Sequence, residues 1–532
     1  MSTHLVEPVH PESRRRWAVL AVLCLSVFLI VVDGTIVNVA LPTLVRRLGA
    51  TNSQLQWIVD AYTLVFAGLL LAAGSLGDRF GRRGALQLGM FLFAVFSGLA
   101  ALSNTPGQLI AARAAMGVGA ALIFPATLAI LVNVFTVPKE RAAAIGIWAA
   151  VSGLSVALGP LAGGWLIEHY SWGSVFLVNL PIAAVSLIAT HFLVPTSRDA
   201  HIARFDPLGM LLSAGGIGLL VWAIIEGPEH GWTSPVSLAA FTVSAALLAA
   251  FVTWERRSDH PMLDVRVFAN ARFTAGSLSV TFAFFALFGF VFMVSQYFQF
   301  VRGYGAFSSG VHTVPFALFT GIAAPLSTKV AERIGTKYTV AAGLFSMAIG
   351  FSIAADTAAG APYAKVVLAM FFMGGGLGLV NAPATEAIMG SLSPDKAGVG
   401  SAVNDTTREL GGTLGVALVG SLFSSVYSDR LGSALSTLPV PAAAKAAALD
   451  SVGAAVEVAR QSGVQAGPQA GRAVKSAVDS AFVSGFHAGS WFAAGLVLVG
   501  AVIALAFLPN RGAHATAPSA DLEPSDFAAA GA

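Results

Sequence analysis

GSLGDRFGRRG, residues Gly74 to Gly84, packs four glycines, one aspartate and three arginines into eleven positions. Before it runs WIVDAYTLVFAGLLLAAG (Trp57 to Gly74), and after it ALQLGMFLFAVFSGLAAL (Ala85 to Leu102), both strongly apolar. A charged, glycine-rich break between two such runs reads as a tight turn between membrane-spanning helices. Glycine permits the turn and a close helix approach. Asp78 has two uses: it pairs with arginines or sits at a helix N-terminus, where the dipole favours an acid. A clamp of this kind, Gly74, Gly77, Asp78, Arg79, Gly81, Arg82 and Arg83, would lock two helices in one conformation and release them in another. A plain positive turn needs the arginines but not this ordering.

Composition extends that reading to the whole chain. Of 532 residues, 56% are hydrophobic and 11% charged, with a mean hydropathy of +0.77. A soluble chain carries roughly a quarter charged residues, so this is a polytopic membrane protein. Its 56 glycines suit close helix packing in lipid. The net charge of +3 comes without a long basic block, and nucleic acid is not an expected partner. With Cys24 as the single cysteine, no intrachain disulfide forms. SRRRWAVLAVLCLSVFLIVV near the N-terminus is too long for a signal-peptide core and lacks a small-residue cleavage site. It reads as the first span.

A span needs about 20 mostly apolar residues. That criterion places fourteen, near 17–40, 54–75, 85–103, 107–132, 141–166, 174–194, 207–226, 236–255, 272–299, 308–329, 337–356, 363–390, 397–426 and 484–508. An even number puts both termini on one side. With that side cytoplasmic, nineteen of the 30 Lys and Arg lie in inner segments, while short outer loops and their flanks hold only Arg46, Arg47, Arg302 and Lys365. Residues 427–483 form an outer loop, read either as a short amphipathic helix pair on the membrane surface or as a partly ordered linker. Whether an adaptor protein docks there stays open.

An internal repeat is visible. DRFGRR (Asp78 to Arg83) follows span 2, and ERIGTK (Glu332 to Lys337) follows span 10. KERAAAIG opening span 5 faces PDKAGVGS opening span 13. Repeated halves mark transporters. The expected domains are a six-helix half over 1–195, an inserted helix pair over 196–271, a second six-helix half over 272–508 and a disordered tail over 509–532.

The Gly74–Gly84 loop resembles the signature of the major facilitator superfamily, and further stretches agree. DGTIVNVALP (Asp33 to Pro42), WIVDAYTLVFAGLLLAAG and RAAMGVGAALIFP (Arg113 to Pro125) resemble its fourteen-helix drug:proton antiporter branch, the EmrB/QacA type. SVALGPLAGG (Ser155 to Gly164) resembles the span-5 antiporter motif, with Ser155 where glycine is usual. Trp172, Gly173 and Ser174 stand where the family commonly has Trp-Arg-Trp. The resemblance implies an all-α membrane fold with two six-helix halves plus two inserted helices. It also implies export of lipophilic, often cationic drugs, driven by a proton gradient with no cofactor. The expected setting is a bacterial inner membrane, with lipid around a monomer. A dedicated exporter of one metabolite, lipid or self-made antibiotic is the alternative; an enzyme or receptor scaffold finds no nucleophile elbow, metal-spaced histidines or phosphate loop.

A charge at the bilayer centre costs about 2.5–3.5 kcal/mol on insertion scales, so buried ionisable groups are site candidates. Asp33 in span 1 and Arg113 in span 4 lie at comparable depth in the outer half, where a salt bridge is physically reasonable. Asp33 reads as a proton site or as an acid reaching outer water. Asp60 and Asn38 are candidates for a substrate gate, Asp60 equally for an interfacial residue. In span 13, GSAVNDTTRELGG (Gly400 to Gly412) places Asp405, Arg408 and Glu409 on one helical face, widened by Asn404. Arg408 neutralises at most one acid, leaving either a structural bridge or a carboxylate free for proton and cation exchange. Glu386 of span 12 joins this cluster or faces the cytoplasm. Gly159, Pro160, Gly163 and Gly164 of the span-5 motif form a small-residue packing stripe with a bend at the proline. The aromatic run FAFFALFGFVFMVSQYFQF of span 9 reads more as a lipid-facing surface than as a drug wall.

Overall fold

The computed structural model describes residues 11–196, 206–258, 261, 263–392 and 397–510, and among them there is no strand. The first half comprises α1 (Pro11–Leu48), α2 (Asn52–Phe80), α3 (Arg82–Ala101), α4 (Pro106–Val134), α5 (Pro138–His169) and α6 (Ser174–Leu193). An inserted pair follows, α7 (Pro207–Ile225) and α8 (Pro235–Arg257). The second half holds α9 (Ala271–Gln296), α10 (Ala306–Ile334), α11 (Thr336–Ala354), α12 (Tyr363–Met389) and α13 (Ala397–Ser436). Two short helices, α14 (Ala442–Asp450) and α15 (Val452–Gln465), lead into α16 (Pro468–Phe507). Among the described residues, thirteen helices are long and apolar enough to cross a membrane. The 29-residue α2, with Gln54, Gln56 and Asp60 in its first turns, is the fourteenth long helix.

Local chemistry sets the helix starts. Thr51 and Gln54 form a capping box on α2. Thr105 caps α4, with Pro106 in its first turn, and Asp206 caps α7 ahead of Pro207. The turns from α2 to α3 and from α10 to α11 are each one residue long, Gly81 at φ 112° and Gly335 at φ 95°. Only glycine adopts that backbone region without strain. These are the two glycines of DRFGRR and ERIGTK.

Packing repeats with the sequence. In the first half α1 packs on α5, α2 on α4, and α3 on α4 and α6; in the second, α9 packs on α13, α10 on α12, and α11 on α12 and α16. Matching glycines make the tightest crossings. A Cβ on Gly89 of α3 would lie 2.8 Å from the Gly119 oxygen of α4, and one on Gly343 of α11 would lie 2.7 Å from the Gly376 oxygen of α12. The halves meet along α5–α10 and α2–α13, and α7 lies against α2 and α13. Ser421 donates to the Ile224 carbonyl (2.7 Å) and Trp57 to Glu226 (2.9 Å), fastening the inserted pair there.

Two expectations change. α13 runs on to Ser436 and α16 starts at Pro468, so the long loop shrinks to residues 437–467. Helix propensity in these Ala- and Ser-containing stretches outlasts the apolar segment that a hydropathy reading tracks. The loop is a helix pair, but it docks on protein: Ala448, Val452 and Ala455 are buried, and a Cβ on Gly453 would meet Val45 of α1 at 2.9 Å. Its outer face is polar, where Glu457 accepts from Arg460 and Gln461, and those bonds hold the Glu457 carboxyl at about 2. The span-9 phenylalanines do not form a lipid-facing surface: Phe285, Phe290, Phe292, Phe298 and Phe300 are buried, because α9 is packed by α13, α16 and α12.

Candidate functional site

The start of α1 and the end of α16 share one end of the bundle. Arg16 of α1 donates to Glu140 at the start of α5 (2.9 Å), the far end of α5 meets the start of α10 at Gly164 and Ala306, and Asn510 lies against Gly335 just past the end of α10. We call this the terminal end and the opposite one distal. The halves touch at the distal end. Ser295 donates to the Asn38 carbonyl (2.9 Å), Gln299 to the Val39 carbonyl (3.0 Å) and Ser421 to Gln56 (3.2 Å). Towards the terminal end α5 and α10 part: a Cβ on Gly146, Gly153 or Gly321 would meet nothing within 4 Å.

The span-5 motif builds the distal closure. Gly159 and Gly163 let α5 lie on Thr35 and Ile36 of α1, and a Cβ on Gly164 would sit 2.6 Å from the Ala306 oxygen of α10. Ser155 turns its hydroxyl into its own helix, donating to Val151 (2.7 Å). Pro160 lines a cavity of about 40 Å³ between α1, α5, α9 and α10, together with Thr35, Asn38, Ser295 and Thr313. Asn38 is buried, and its side-chain amide makes only long bonds of 3.4 Å within α1.

Asp33 and Arg113 meet as the sequence suggested, in a fully buried salt bridge between α1 and α4. Asp33 does not reach water. Its second oxygen accepts from Asn179 of α6 (2.8 Å), which also donates to Ser97 of α3 (3.0 Å). Arg113 donates through Nε to the Ile58 carbonyl of α2 (3.0 Å) and lies 4.3 Å over the Tyr62 ring. One ion pair thus ties α1, α2, α4 and α6 together. Asp60 is equally buried, and among the described residues neither of its oxygens has a hydrogen-bond partner. It lies between Gln56 and Thr63, which bond α13 through Ser421 and Thr413, so Asp60 sits at the seam between halves.

The span-13 cluster is half-buried, and its arginine faces elsewhere. Arg408 donates to Asn381 (2.7 Å) and Thr385 (3.0 Å) of α12 and stacks 5.3 Å over Phe284 of α9. Thr385 donates to Asn404 (3.1 Å), whose amide reaches Asp405 at 3.4 Å. Among the described residues Asp405 and Glu409 form no direct ion pair; Arg408 gives its hydrogen bonds to α12 and attracts both acids only from a longer distance. Glu386 is exposed and stays out of the network, while its neighbour Thr385 is in it. Asn179, Asn381, Thr385 and Phe284 are the site residues that charge-based reading passed over; each amide is a lone polar group in an apolar span, which is the signal that was there.

Of the clamp, Gly74 packs near Pro125, Gly77 near Ala85, and Gly81 makes the turn. Arg83 donates to the Val194 carbonyl beyond α6 (3.4 Å), and Arg82 is half-buried. The side chains of Asp78 and Arg79 lie outside the described residues, as do the 393–396 segment and the tail from 511.

The model of the Major Facilitator Superfamily matches residues 23–416. The chain belongs to this superfamily. Major facilitators are transporters, and this chain is a membrane transporter rather than an enzyme. It is 37% identical over 430 residues to the multidrug efflux pump LfrA of Mycolicibacterium smegmatis, covering 81% of this chain and 85% of that one. It is 34% identical to the methyl viologen resistance protein SmvA of Salmonella typhimurium, covering 81% and 87%. It is 31% identical to the tetracenomycin C resistance and export protein of Streptomyces glaucescens, covering 78% and 77%. In fold it matches a bacterial homologue of the human lysosomal transporter Spinster in an inward-facing conformation, with a TM-score of 0.62 at 18% identity over 94% of this chain and 99% of that one. The xylose transporter XylE of E. coli, partially occluded and inward open, matches at 0.57 and 15% over 93% and 98%.

Proposed function

We propose that this facilitator is a proton-coupled multidrug efflux antiporter for lipophilic, often cationic compounds. Its kinship with efflux pumps carries the reading, and two acids near Asn404, neither in a direct ion pair among the described residues, supply a fitting site. The distal end faces outwards and both termini are cytoplasmic, in a bacterial inner membrane. The units are 1–195, 196–271, 272–508 and the tail 509–532, and one chain suffices for transport. Rocking the halves about the midplane opens each end in turn. Asp33, Arg113, Asp405, Arg408 and Glu409 handle protons and cationic substrate; Asp60, Asn38 and Asn404 line the path. No cofactor takes part, the proton gradient being the energy source.

The test uses everted vesicles with an acidic lumen and a pH-sensitive dye. Adding a lipophilic cation should dissipate the gradient only in vesicles that contain the chain. An unchanged gradient across a drug panel would refute proton-coupled drug exchange. The kinship with a tetracenomycin C exporter favours a second reading, export of one compound; a single responder in the panel would select it.

The position of Arg408 yields a further prediction. Asn381→Leu with Thr385→Val removes both acceptors, leaving the guanidinium to pair with Asp405 or Glu409. Binding of a fluorescent lipophilic cation to purified protein should weaken about tenfold, a change of ~1.4 kcal/mol. Unchanged affinity would show that α12 does not control that arginine.

A further inference from the structure

The hydrogen bonds that join the two halves come from neutral side chains, Gln56, Thr63, Ser295, Gln299, Thr413 and Ser421, with one charged exception among the described residues. Glu168, in the last turn of α5, accepts the backbone N–H of Phe307, the second residue of α10, at 2.9 Å. α10 is 29 residues long, and its N-cap is Gly305, which supplies no capping oxygen. The first N–H groups of a helix have no partner within it, and the positive end of the dipole favours an acid. α10 therefore takes its cap from the opposite half of the molecule.

The backbone around this bond leaves no slack. Gly164 lies one turn below Glu168, and a Cβ there would come within 2.6 Å of the Ala306 oxygen. A Cβ on Gly310 would lie 2.8 Å from the Pro160 carbonyl carbon. When α5 and α10 separate at this end, α10 loses its only side-chain cap across the seam, and nothing on Gly305 replaces it.

We infer that Glu168 is a positioning residue that holds the distal gate shut by capping α10 across the seam between the halves. The inference rests on the proposed alternation between states and adds a named holding group to it. Glu168 is exposed, so water competes for the bond. A charge-assisted bond discounted for that competition shifts the open population about fivefold.

Cys24 is the only cysteine, so Cys24→Ala gives a cysteine-free background. The reporter Thr313→Cys lines the small cavity one turn below Gly310. Its labelling by a membrane-impermeant maleimide added outside whole cells reports distal opening. Glu168→Ala should speed labelling about fivefold, and Glu168→Gln, which keeps an acceptor of the same reach, should return most of the difference. Gly164→Val, a wedge in the same seam, is the positive control and should also speed it. If the wedge speeds labelling and Glu168→Ala does not, the gate exists but Glu168 does not hold it. If neither does, distal opening itself fails, and the proposed transport cycle falls with the inference.

Discussion

Arg113→Met is expected to remove most folded protein from the membrane, and adding Asp33→Asn should recover it without restoring coupled transport. Both side chains are fully buried, and their bridge is the junction of α1 and α4. Removing one partner strands the other charge in the apolar interior, a loss of about 3–5 kcal/mol, whereas removing both charges together is often close to neutral. That loss is a large share of a typical domain's 5–15 kcal/mol. The neutral pair keeps a scaffold, since Asn179 still donates to the side chain at position 33 and Ser97 still donates to the Phe176 carbonyl (2.8 Å). Yield in fluorescence-detected size exclusion and the melting midpoint of purified protein measure the effect. Single variants as stable as the parent would mean that the bridge holds nothing together. Full gradient-linked transport by the double variant would remove Asp33 from the coupling site.

The contrast between this bridge and the span-13 cluster shows what could be read from residues alone. Depth counting along α1 and α4 brought Asp33 and Arg113 level, because rise per residue is constant in a helix. The repeated loops located both halves, because each one-residue turn demands glycine at Gly81 and Gly335. Helical periodicity also grouped Asp405, Arg408 and Glu409 on one face. It does not say what the neighbouring helix offers. Arg408 is long enough to leave its own face for Asn381 and Thr385, and neutral amides and hydroxyls give no charge signal in a sequence. Asn179 escaped for the same reason. The ends of α13 and α16 escaped because hydropathy reports where the bilayer stops, not where the helix does.

Asp405→Asn and Glu409→Gln, singly and together, should cut drug-linked proton flux about tenfold or more, equivalent to at least ~1.4 kcal/mol of lost coupling, while folded protein stays abundant. The different outcome from Arg113→Met follows from the surroundings. These acids are half-buried and, among the described residues, in no direct ion pair, so neutralising them weakens a longer-range attraction to Arg408 but breaks no charge contact of the kind that joins Arg113 to Asp33. Arg408 keeps its bonds to Asn381 and Thr385 in every one of these variants. Asn404 still reaches position 405, where an amide oxygen replaces the carboxylate as acceptor. What disappears is the only chemistry the two groups hold in common, exchange of a proton for a cation at one carboxylate. Proton and substrate linked through such a site must each weaken the other's binding by the same factor. In the parent, the apparent affinity for a lipophilic cation should therefore fall as pH is lowered, and in the double variant that pH dependence should vanish. Normal flux in both single variants would reduce the cluster to a structural contact between α12 and α13, leaving Asp33 as the proton carrier.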